Sequence, residues 1–277
     1  MSTRVWLITG ASAGLGRSLA RAALDAGDSV VAAVRRPDSV GDLVAAAPDR
    51  VATVELDVTD TARIAPAAAE ALSRFGRIDV LVNNAGRGMA GAAEETSDED
   101  LRELMELHFF GPVTLTRTLL GHMRERGSGA IVQMSSQAGR YSFPGISSYS
   151  ATKFALEGWS ESLSAEVEQF GIDVMIVEPG PFRTSFNEPD VFGFPAASET
   201  YQAVEPVRTA LAKANGEQAG DPDRAAAAIL TALGSGTPPL RLPLGNEAAD
   251  SILASFERSS DEIATWEELS RSADYAV

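Results

Sequence analysis

Apolar residues along the first two thirds of the chain alternate between short β-branched runs and longer stretches with helical spacing. The short runs predict strands at Val5–Thr9, Val30–Val34, Val51–Leu56, Val80–Val82 (opened by Ile78), Ala130–Met134 and Asp173–Val177. The longer stretches predict helices at Leu15–Ala26, Thr61–Phe75, Glu99–Met123 and Tyr149–Phe170. Strands that are apolar on both faces and separated by helices are typical of a covered parallel sheet. We therefore expect an α/β fold with a doubly wound sheet, which binds ligands at the carboxyl ends of its strands.

The pattern loosens in the last third of the chain. Residues 181–220 contain Pro, Gly, Phe and Asn with little periodicity. Regular signals return with a helix start at Asp221–Pro222, a strand at Leu240–Leu244 and a helix at Ala248–Ser272. Because no repeat or low-complexity linker interrupts the sequence, we predict a single domain over residues 1–277. Within it, residues from about 1–185 would form the cofactor and catalytic core, and those from about 186–277 a variable substrate-facing and assembly region.

Composition narrows the range of functions. The 277 residues include no cysteine and only two histidines, His108 and His122, which excludes disulfides, thiolate catalysis and cysteine- or histidine-rich metal sites. A net charge of −16 repels nucleic acid and anionic lipid, so we expect neither as a partner. The first residues show no signal-peptide pattern, and no apolar stretch of about 18 residues occurs. The sequence therefore predicts a cytoplasmic protein without a membrane span.

A glycine-rich loop joins the first predicted strand to the first predicted helix. It reads TGASAGLG from Thr9 to Gly16. Glycines in such a loop permit a tight turn, a close approach of the backbone to a pyrophosphate, and close packing of helix on strand. The amides and dipole of the helix N-terminus favour the anion. We predict dinucleotide contacts here, the alternative being an ordinary turn; the contacting residues are Gly10, Ser12, Gly14, Leu15 and Gly16.

Three more segments, in order and spacing, accompany this TGxxxGxG loop. They are the NNAG run Asn83–Gly86, the YSATK run Tyr149–Lys153 with Ser136 before it, and the PGPFRT run Pro179–Thr184. Together the four segments, which span most of residues 5–185, resemble the short-chain dehydrogenase/reductase family. The resemblance implies a Rossmann-type fold, hydride transfer between a nicotinamide cofactor and a carbonyl or alcohol, and a homodimer or homotetramer.

The end of the second predicted strand bears on the choice of nucleotide. It reads Val34-Arg35-Arg36, whereas sites for NAD usually offer an acidic residue to the ribose 2′-hydroxyl. An arginine pairs with a 2′-phosphate, so Arg35 favours NADP(H), and Arg36 adds long-range attraction. The alternative is that both arginines are ordinary solvated residues. Ala13, where the family has its other basic residue, argues against NADP(H).

The resemblance also implies how the nucleotide is held. Asp57 would accept a hydrogen bond from the adenine amino group, with Val58 beside the ring, although Asp57 also suits a turn or a helix N-cap. Thr184 would hold the nicotinamide carboxamide through its hydroxyl. The other implied contacts are Asn83, Ala85, Gly86, Tyr149, Lys153, Pro179 and Gly180.

Tyr149 and Lys153 are four residues apart on a predicted helix and therefore share one face. A free tyrosine has a pKa of about 10, and we expect the nearby ammonium to lower that pKa so that Tyr149 can act as acid and base. By resemblance, Ser136 hydrogen-bonds the substrate oxygen. Ser135 would exchange roles with Ser136 if the register slipped by one residue.

The sequence departs from the family pattern at His108, where the family usually has an asparagine that holds a relay water. Histidine also bonds water and titrates near neutral pH, so His108 either takes over the relay as a catalytic residue or only fills space. Pro112 predicts a kink that frees a backbone carbonyl for the water.

Aromatic residues cluster after the last cofactor motif and before Tyr149. They are Phe182, Phe186, Phe192 and Phe194, with Tyr141 and Phe143. They predict an apolar pocket with a mobile lid, or ordinary packing under a long loop. The first interpretation favours a hydrophobic ketone, aldehyde or secondary alcohol as substrate. Other candidate functions are a non-catalytic NADP(H)-sensing regulator, which would usually have lost the Tyr/Lys pair, and an epimerase or dehydratase.

Overall fold

The structure is a computed structural model and describes residues 3–188 and 190–275. The strands of these residues are β1 (Val5–Thr9), β2 (Ser29–Val34), β3 (Val51–Glu55), β4 (Val80–Asn83), β5 (Gly88–Met89), β6 (Gly129–Met134), β7 (Ile172–Pro179), β8 (Phe192–Gly193) and β9 (Arg241–Leu244). Seven of them form a parallel sheet in the order β3-β2-β1-β4-β6-β7-β9. This sheet confirms the predicted doubly wound α/β fold.

Helices cover both faces of the sheet. In the described chain they are α1 (Gly14–Asp25), α2 (Gly41–Ala46), α3 (Thr61–Phe75), α4 (Asp98–Met105), α5 (Gly111–Arg126), α6 (Ser147–Val167), α7 (Glu205–Lys213), α8 (Pro222–Leu233), α9 (Asn246–Thr265) and α10 (Glu267–Arg271). The Asp221 side chain caps α8 as predicted, accepting hydrogen bonds from the backbone N–H groups of Asp223 and Arg224.

The two faces of β1 show how the core is divided into layers. Successive side chains of a strand point to opposite faces. Trp6 and Ile8 therefore pack in the layer that contains α1 and α8. Leu7 packs in the other layer, against residues of α3 and α5 such as Ile64 and Leu115. Because the sheet is buried on both faces, its strands are apolar throughout, as the sequence pattern indicated.

The strand order reverses direction between β1 and β4, since β2 lies on one side of β1 and β4 lies on the other. In doubly wound sheets the loops after two such strands diverge and leave a crevice at the carboxyl ends. The glycine loop follows β1 and the Asn83–Gly86 segment follows β4, so both lie at this crevice.

The long helix predicted at Glu99–Met123 is interrupted. A π-helical turn, Glu106–Phe110, separates α4 from α5, and the backbone N–H of Gly111 donates to the carbonyl of Glu106 across it. Pro112, which has no N–H, lies in the first turn of α5. The turn places the buried His108 ring 5.5 Å from the ring of Tyr149.

Candidate active site

A cleft of about 1160 Å³ opens at the carboxyl ends of the sheet. Its walls bring together residues from across the sequence. Those predicted to bind or react that line it are Gly10, Ser12, Gly14, Leu15, Arg35, Asp57, Val58, Ala85, Gly86, Ser136, Tyr149, Lys153, Pro179, Gly180 and Thr184. The predicted residues outside its lining are Gly16, Asn83 and His108.

The glycine loop has the geometry that the sequence predicts. Gly10 and Gly14 have φ angles of +67° and +54°, in the left-handed region that favours glycine. A Cβ on Gly16 would lie 2.6 Å from the Gly10 carbonyl oxygen, which leaves no room for a side chain. Residue Ala13, at the N-cap of α1, gives no side-chain cap. The first amides of α1 therefore face the cleft without a side-chain acceptor, which suits a pyrophosphate.

The two asparagines after β4 have different positions. The side chain of Asn83 is buried and donates to Thr116 Oγ1 and Gln133 Oε1, both at 3.0 Å. Its side chain therefore gives no support to the predicted cofactor contact. Asn84 lines the cleft instead, and its Nδ2 donates to the Thr9 carbonyl oxygen at 2.9 Å.

Thr9 and Asn84 join the two loops that form the floor of the cleft. Thr9 Oγ1 accepts hydrogen bonds from the backbone N–H groups of Asn84 and Ala85, at 2.9 and 3.0 Å. Sequence reasoning quoted both residues within motifs but gave neither a structural role. Hydrogen bonds between two loops far apart in sequence leave no local signal that would have shown it.

The far end of the cleft carries one of the two candidate arginines. Arg35, exposed at the end of β2, lines the cleft, whereas Arg36 does not. Asp57 Oδ1 accepts hydrogen bonds from the Thr59 N–H at 3.0 Å and from Thr59 Oγ1 at 2.7 Å, so the predicted turn role is present. Sequence reasoning missed Arg17, which donates to the Ser12 carbonyl oxygen at 3.0 Å and braces the glycine loop.

Ser136, Tyr149 and Lys153 lie on one wall of the cleft. The Lys153 ammonium is 5.7 Å from the Tyr149 ring centroid and donates to the Met134 carbonyl oxygen at 2.9 Å. Ser136 Oγ accepts the N–H of Ala138 at 3.1 Å, which leaves its own proton available to a substrate oxygen.

Burial governs the protonation of this pair. It raises the pKa of Tyr149 to about 12, and the nearby Ser136 hydroxyl acts in the opposite direction. Burial also lowers the pKa of Lys153 to about 8, opposed by the charge of Glu157. The direction is opposite to the predicted lowering of the pKa of Tyr149, because desolvation of the phenolate is the largest cause and Ser136 is the group that opposes it.

Both ring nitrogens of His108 have protein partners. Nε2 accepts the Arg87 N–H at 3.1 Å, so Nδ1 carries the proton and donates to Thr152 Oγ1 at 2.9 Å. Thr152 Oγ1 in turn donates to the Tyr149 carbonyl oxygen at 2.8 Å. Burial, with the charges of Lys153 and Arg87, holds the pKa of His108 well below its usual value. These contacts favour the space-filling alternative over the titrating relay.

An apolar wall faces Tyr149. Phe143, Ile146, Phe186 and Phe192 line the cleft, and the Phe186 ring lies 6.3 Å from the Tyr149 ring. Of the other predicted aromatics, Phe182 also lines the cleft, whereas Tyr141 and Phe194 do not. The Thr184 hydroxyl caps the short helix after it by accepting the N–H of Phe186 at 3.2 Å.

Over residues 3–188 and 190–275, no helix is long and apolar enough to cross a membrane. Within the same residues, no three His, Asp or Glu side chains are grouped so that they could hold a metal ion.

Comparisons with known proteins place this geometry in a family. The model of the short chain dehydrogenases matches residues 4–191. Oxidoreductase BOA17 of Botryotinia fuckeliana is 38% identical over 270 residues, which cover 97% of this chain and 98% of that protein. A 3-ketodihydrosphingosine reductase of Bacteroides thetaiotaomicron is 38% identical over 189 residues, covering 68% of this chain and 67% of that protein.

Solved structures agree. A short-chain dehydrogenase from Streptomyces avermitilis has a TM-score of 0.94 at 51% identity, with 99% of this chain and 100% of that chain covered. Two more distant structures share the fold. One, from Burkholderia phymatum in complex with NAD, has a TM-score of 0.82 at 22% identity, covering 100% and 98% of the two chains. The other, a Thermococcus sibiricus alcohol dehydrogenase complexed with 5-hydroxy-NADP, has a TM-score of 0.71 at 24% identity, covering 88% and 96%.

The fold and these matches define an oxidoreductase of a class that uses a nicotinamide cofactor. The chain belongs to the short-chain dehydrogenase family.

Proposed function

We propose that this protein transfers hydride between NADP(H) and a hydrophobic ketone or aldehyde, or the corresponding secondary alcohol, with Tyr149 as general acid and base. One observation carries the proposal: Ser136, Tyr149 and Lys153 share a cleft with the glycine loop and face an apolar wall. The nicotinamide supplies the hydride when it is bound. The residues of this chain supply orientation and the proton.

The proton chemistry belongs to Tyr149. In reduction its hydroxyl donates a proton to the carbonyl oxygen, and in oxidation the phenolate accepts the alcohol proton. Ser136 donates a hydrogen bond to the same oxygen and stabilises the charge that develops there. The Lys153 ammonium, held by the Met134 carbonyl, offers positive charge beside the phenolate.

The residues present fit a dinucleotide. The left-handed glycines and open amides of α1 suit the pyrophosphate. Thr184, Pro179 and Gly180 line the cleft, where they would contact the nicotinamide. Arg35 supports NADP(H), because it is the cationic side chain at the β2 end of the cleft, where a 2′-phosphate would pair with it.

The apolar wall supports a hydrophobic substrate. Phe143, Ile146, Phe186 and Phe192 offer an apolar surface next to Tyr149, and a relative at 38% identity is named for reduction of a ketone. A cytoplasmic location and assembly into a homodimer or homotetramer stay predictions. The exposed Phe110 and Phe154 of the α5 and α6 region support assembly, and light scattering of the purified protein measures it.

Nucleotide titration tests the cofactor and the site together. We expect NADPH to bind at least about tenfold more tightly than NADH, and Arg35→Ala to weaken only NADPH. Arg36→Ala is the matched control, since Arg36 lies outside the cleft lining.

NADPH consumption with a panel of aryl and long-chain ketones then tests catalysis. Equal affinity for both nucleotides would contradict the NADP(H) proposal, and absence of turnover across the panel would contradict the substrate class.

A further inference from the structure

A cluster of charged residues that includes two buried carboxyl groups lies beside Lys153 and outside the cleft lining. We define the Glu157 cluster as Glu157 and Glu161 of α6, Glu178 of β7, Arg241 of β9, and Arg140 after β6. Glu157 and Glu178 are 4% and 0% exposed. Charged side chains are almost never buried this deeply unless they are paired, so the cluster requires an explanation.

Arg241 holds the cluster together. Its Nε lies 3.1 Å from Glu157 Oε2 and 3.6 Å from Glu178 Oε1, and its Nη2 lies 2.8 Å from Glu161 Oε2. Arg140 Nη1 pairs with Glu178 Oε1 at 2.7 Å. One carboxylate oxygen of Glu157 is thus fixed by a guanidinium from the C-terminal part of the chain.

The other oxygen of Glu157 lies near the end of β6. A Cβ on Gly139 would lie 2.6 Å from Ser135 Oγ and 3.3 Å from Glu157 Oε1, so the glycine makes room for both groups. Neither oxygen has a hydrogen-bond partner of good geometry in the described chain. The Glu157 carboxylate therefore lies beside the segment that contains Met134 and Ser136. The carbonyl oxygen of Met134 accepts a hydrogen bond from the Lys153 ammonium.

Lys153 needs a counter-charge at this place. It is 5% exposed, and Glu157 follows it by one helical turn on the same face of α6. The nearby His108 supplies no charge, because burial, with the charges of Lys153 and Arg87, keeps its pKa low. Burial lowers the pKa of Lys153 to about 8 while Glu157 opposes the change.

The ion pair with Arg241 favours the ionised form of Glu157. Burial raises its pKa to about 6, and the nearby Ser135 hydroxyl and the Arg241 guanidinium act in the opposite direction, with Glu178 adding to the increase. A carboxyl group paired with a guanidinium and the Lys153 amine therefore lie one turn apart on α6.

We propose that Glu157, held in place by Arg241, is a positioning residue that keeps the Lys153 side chain protonated within the active site. The role of Lys153 rests on the proposed function, but the charge of Lys153 is measured without turnover. The proposal also gives the C-terminal strand β9 a part in the site, through Arg241.

The sequence makes the direct experiment simple, because the chain contains two lysines, Lys153 and Lys213. Lysine labelled with ¹³C at Cε gives two NMR signals, which Lys213→Arg assigns. We expect Lys153 to titrate at about pH 8 in the wild type. In Glu157→Gln, which keeps the shape and removes the charge, we expect its midpoint to fall by about 1 pH unit.

Glu161→Gln is the matched control. It removes a charge from the same helix and the same arginine, but Glu161 is one turn further from Lys153 and its side chain is 61% exposed. We expect it to leave the Lys153 midpoint within about 0.3 pH units of the wild type. Glu157→Asp, which keeps the charge and retracts it, should give an intermediate midpoint, and it replaces Glu157→Gln if that variant does not fold.

The outcomes are distinct. A lower Lys153 midpoint in Glu157→Gln and not in Glu161→Gln supports the proposal, even if no ketone is turned over, in which case only the proposed function fails. An unchanged midpoint in folded Glu157→Gln and Glu157→Asp, or an equal fall in Glu161→Gln, overturns it. Where turnover is found, its loss at alkaline pH should begin at a lower pH in Glu157→Gln, with a change in kcat larger than that in KM.

Discussion

At the scale of single residues, the predicted catalytic group combines a buried phenol with a buried ammonium. Burial raises the pKa of Tyr149 to about 12 and lowers that of Lys153 to about 8. In both residues, desolvation therefore favours the neutral form of the side chain over the charged form. A phenol with so high a pKa is well suited to donate a proton to a carbonyl oxygen only where other groups stabilise the phenolate that results. Ser136 and Lys153 are the described side chains placed to do so.

Removing the phenol tests its role directly. We expect Tyr149→Phe to lower kcat at least about a hundredfold, because the ring packing is kept and only the proton donor is lost. NADPH affinity, measured by fluorescence titration, should change little.

Ser136→Ala should lower kcat by roughly a hundredfold, and Ser135→Ala by much less. A larger loss in Ser135→Ala would mean that the two serines had been assigned in the wrong order.

His108 offers a pH test that needs no substrate. Its pKa is well below 6.5 in the folded protein, whereas an unfolded histidine takes up a proton near pH 6.5. The unfolded state therefore binds more protons below that pH, and the free energy of unfolding falls as the pH is lowered from about 6.5. We expect Tm measured between pH 7.5 and 5.5 to show this loss, and His108→Asn to reduce its slope.

His122→Asn is the control for that series. Burial lowers the pKa of His122 as well, but His122 is far less buried and makes one hydrogen bond, from the Ile78 N–H. We expect a smaller change of slope. An unchanged slope in His108→Asn would contradict a neutral, buried His108 and restore the titrating alternative.

At the scale of elements, the start of α1 packs closely against the loop that follows β4. Gly16 lies where β1, α1 and the loop after β4 meet, and a Cβ there would lie 2.4 Å from Asn84 Nδ2. The contact displaces Asn84, whose Nδ2 holds the Thr9 carbonyl, so the change would disturb two loops at once.

A pair of alanine variants separates this close packing from general helix effects. We expect Gly16→Ala to weaken NADPH binding roughly tenfold or more, because the overpacked loop must shift. Gly121→Ala in α5, where a Cβ would meet nothing within 4 Å, should keep NADPH affinity and raise Tm. Nucleotide titration and thermal melting measure both. Wild-type affinity in Gly16→Ala would show that the loop tolerates a side chain there.

At the scale of the whole molecule, the segment predicted to face the substrate contacts the core at two places. β5 pairs with β8, and a Cβ on Gly88 would lie 2.2 Å from the Phe192 ring. Arg208 of α7 pairs with Glu95 Oε2 at 3.2 Å, and both side chains are largely buried. These ties fix Phe192 and its neighbours against the Tyr149 side of the cleft.

Removing the ion pair between Arg208 and Glu95 should weaken the binding of substrate and leave the binding of the nucleotide unchanged. We expect Arg208→Met to raise KM for an apolar ketone about tenfold, because the aromatic wall loses its fixed position. The Kd for NADPH should stay within about twofold. Arg224→Met, at an 89% exposed side chain, is the control and should change neither constant. A parallel loss of NADPH affinity in Arg208→Met would show that the segment supports the whole cleft.

Much of the fold follows from the sequence because its signals are local. The apolar runs gave β1 at Val5–Thr9 and α3 at Thr61–Phe75 with the bounds that the structure has. A two-residue strand has no periodicity, so β5 and β8 gave no signal. The π-helical turn before Pro112 was visible only as an expected kink, since hydrogen-bond pairing in a helix depends on what the helix packs against.

The candidate site divides in the same way. The sequence by itself determined the motifs, and hence the residues whose chemistry matters: the loop glycines, Ser136, Tyr149 and Lys153. Only the tertiary structure decided their surroundings: Asn84 at the cleft in place of the Asn83 side chain, both nitrogens of His108 engaged, and Arg241 fixing Glu157. The reason is physical. Residue type and local spacing can be read directly from the sequence. Burial, which shifts every pKa discussed above, depends on segments that come together only when the chain folds.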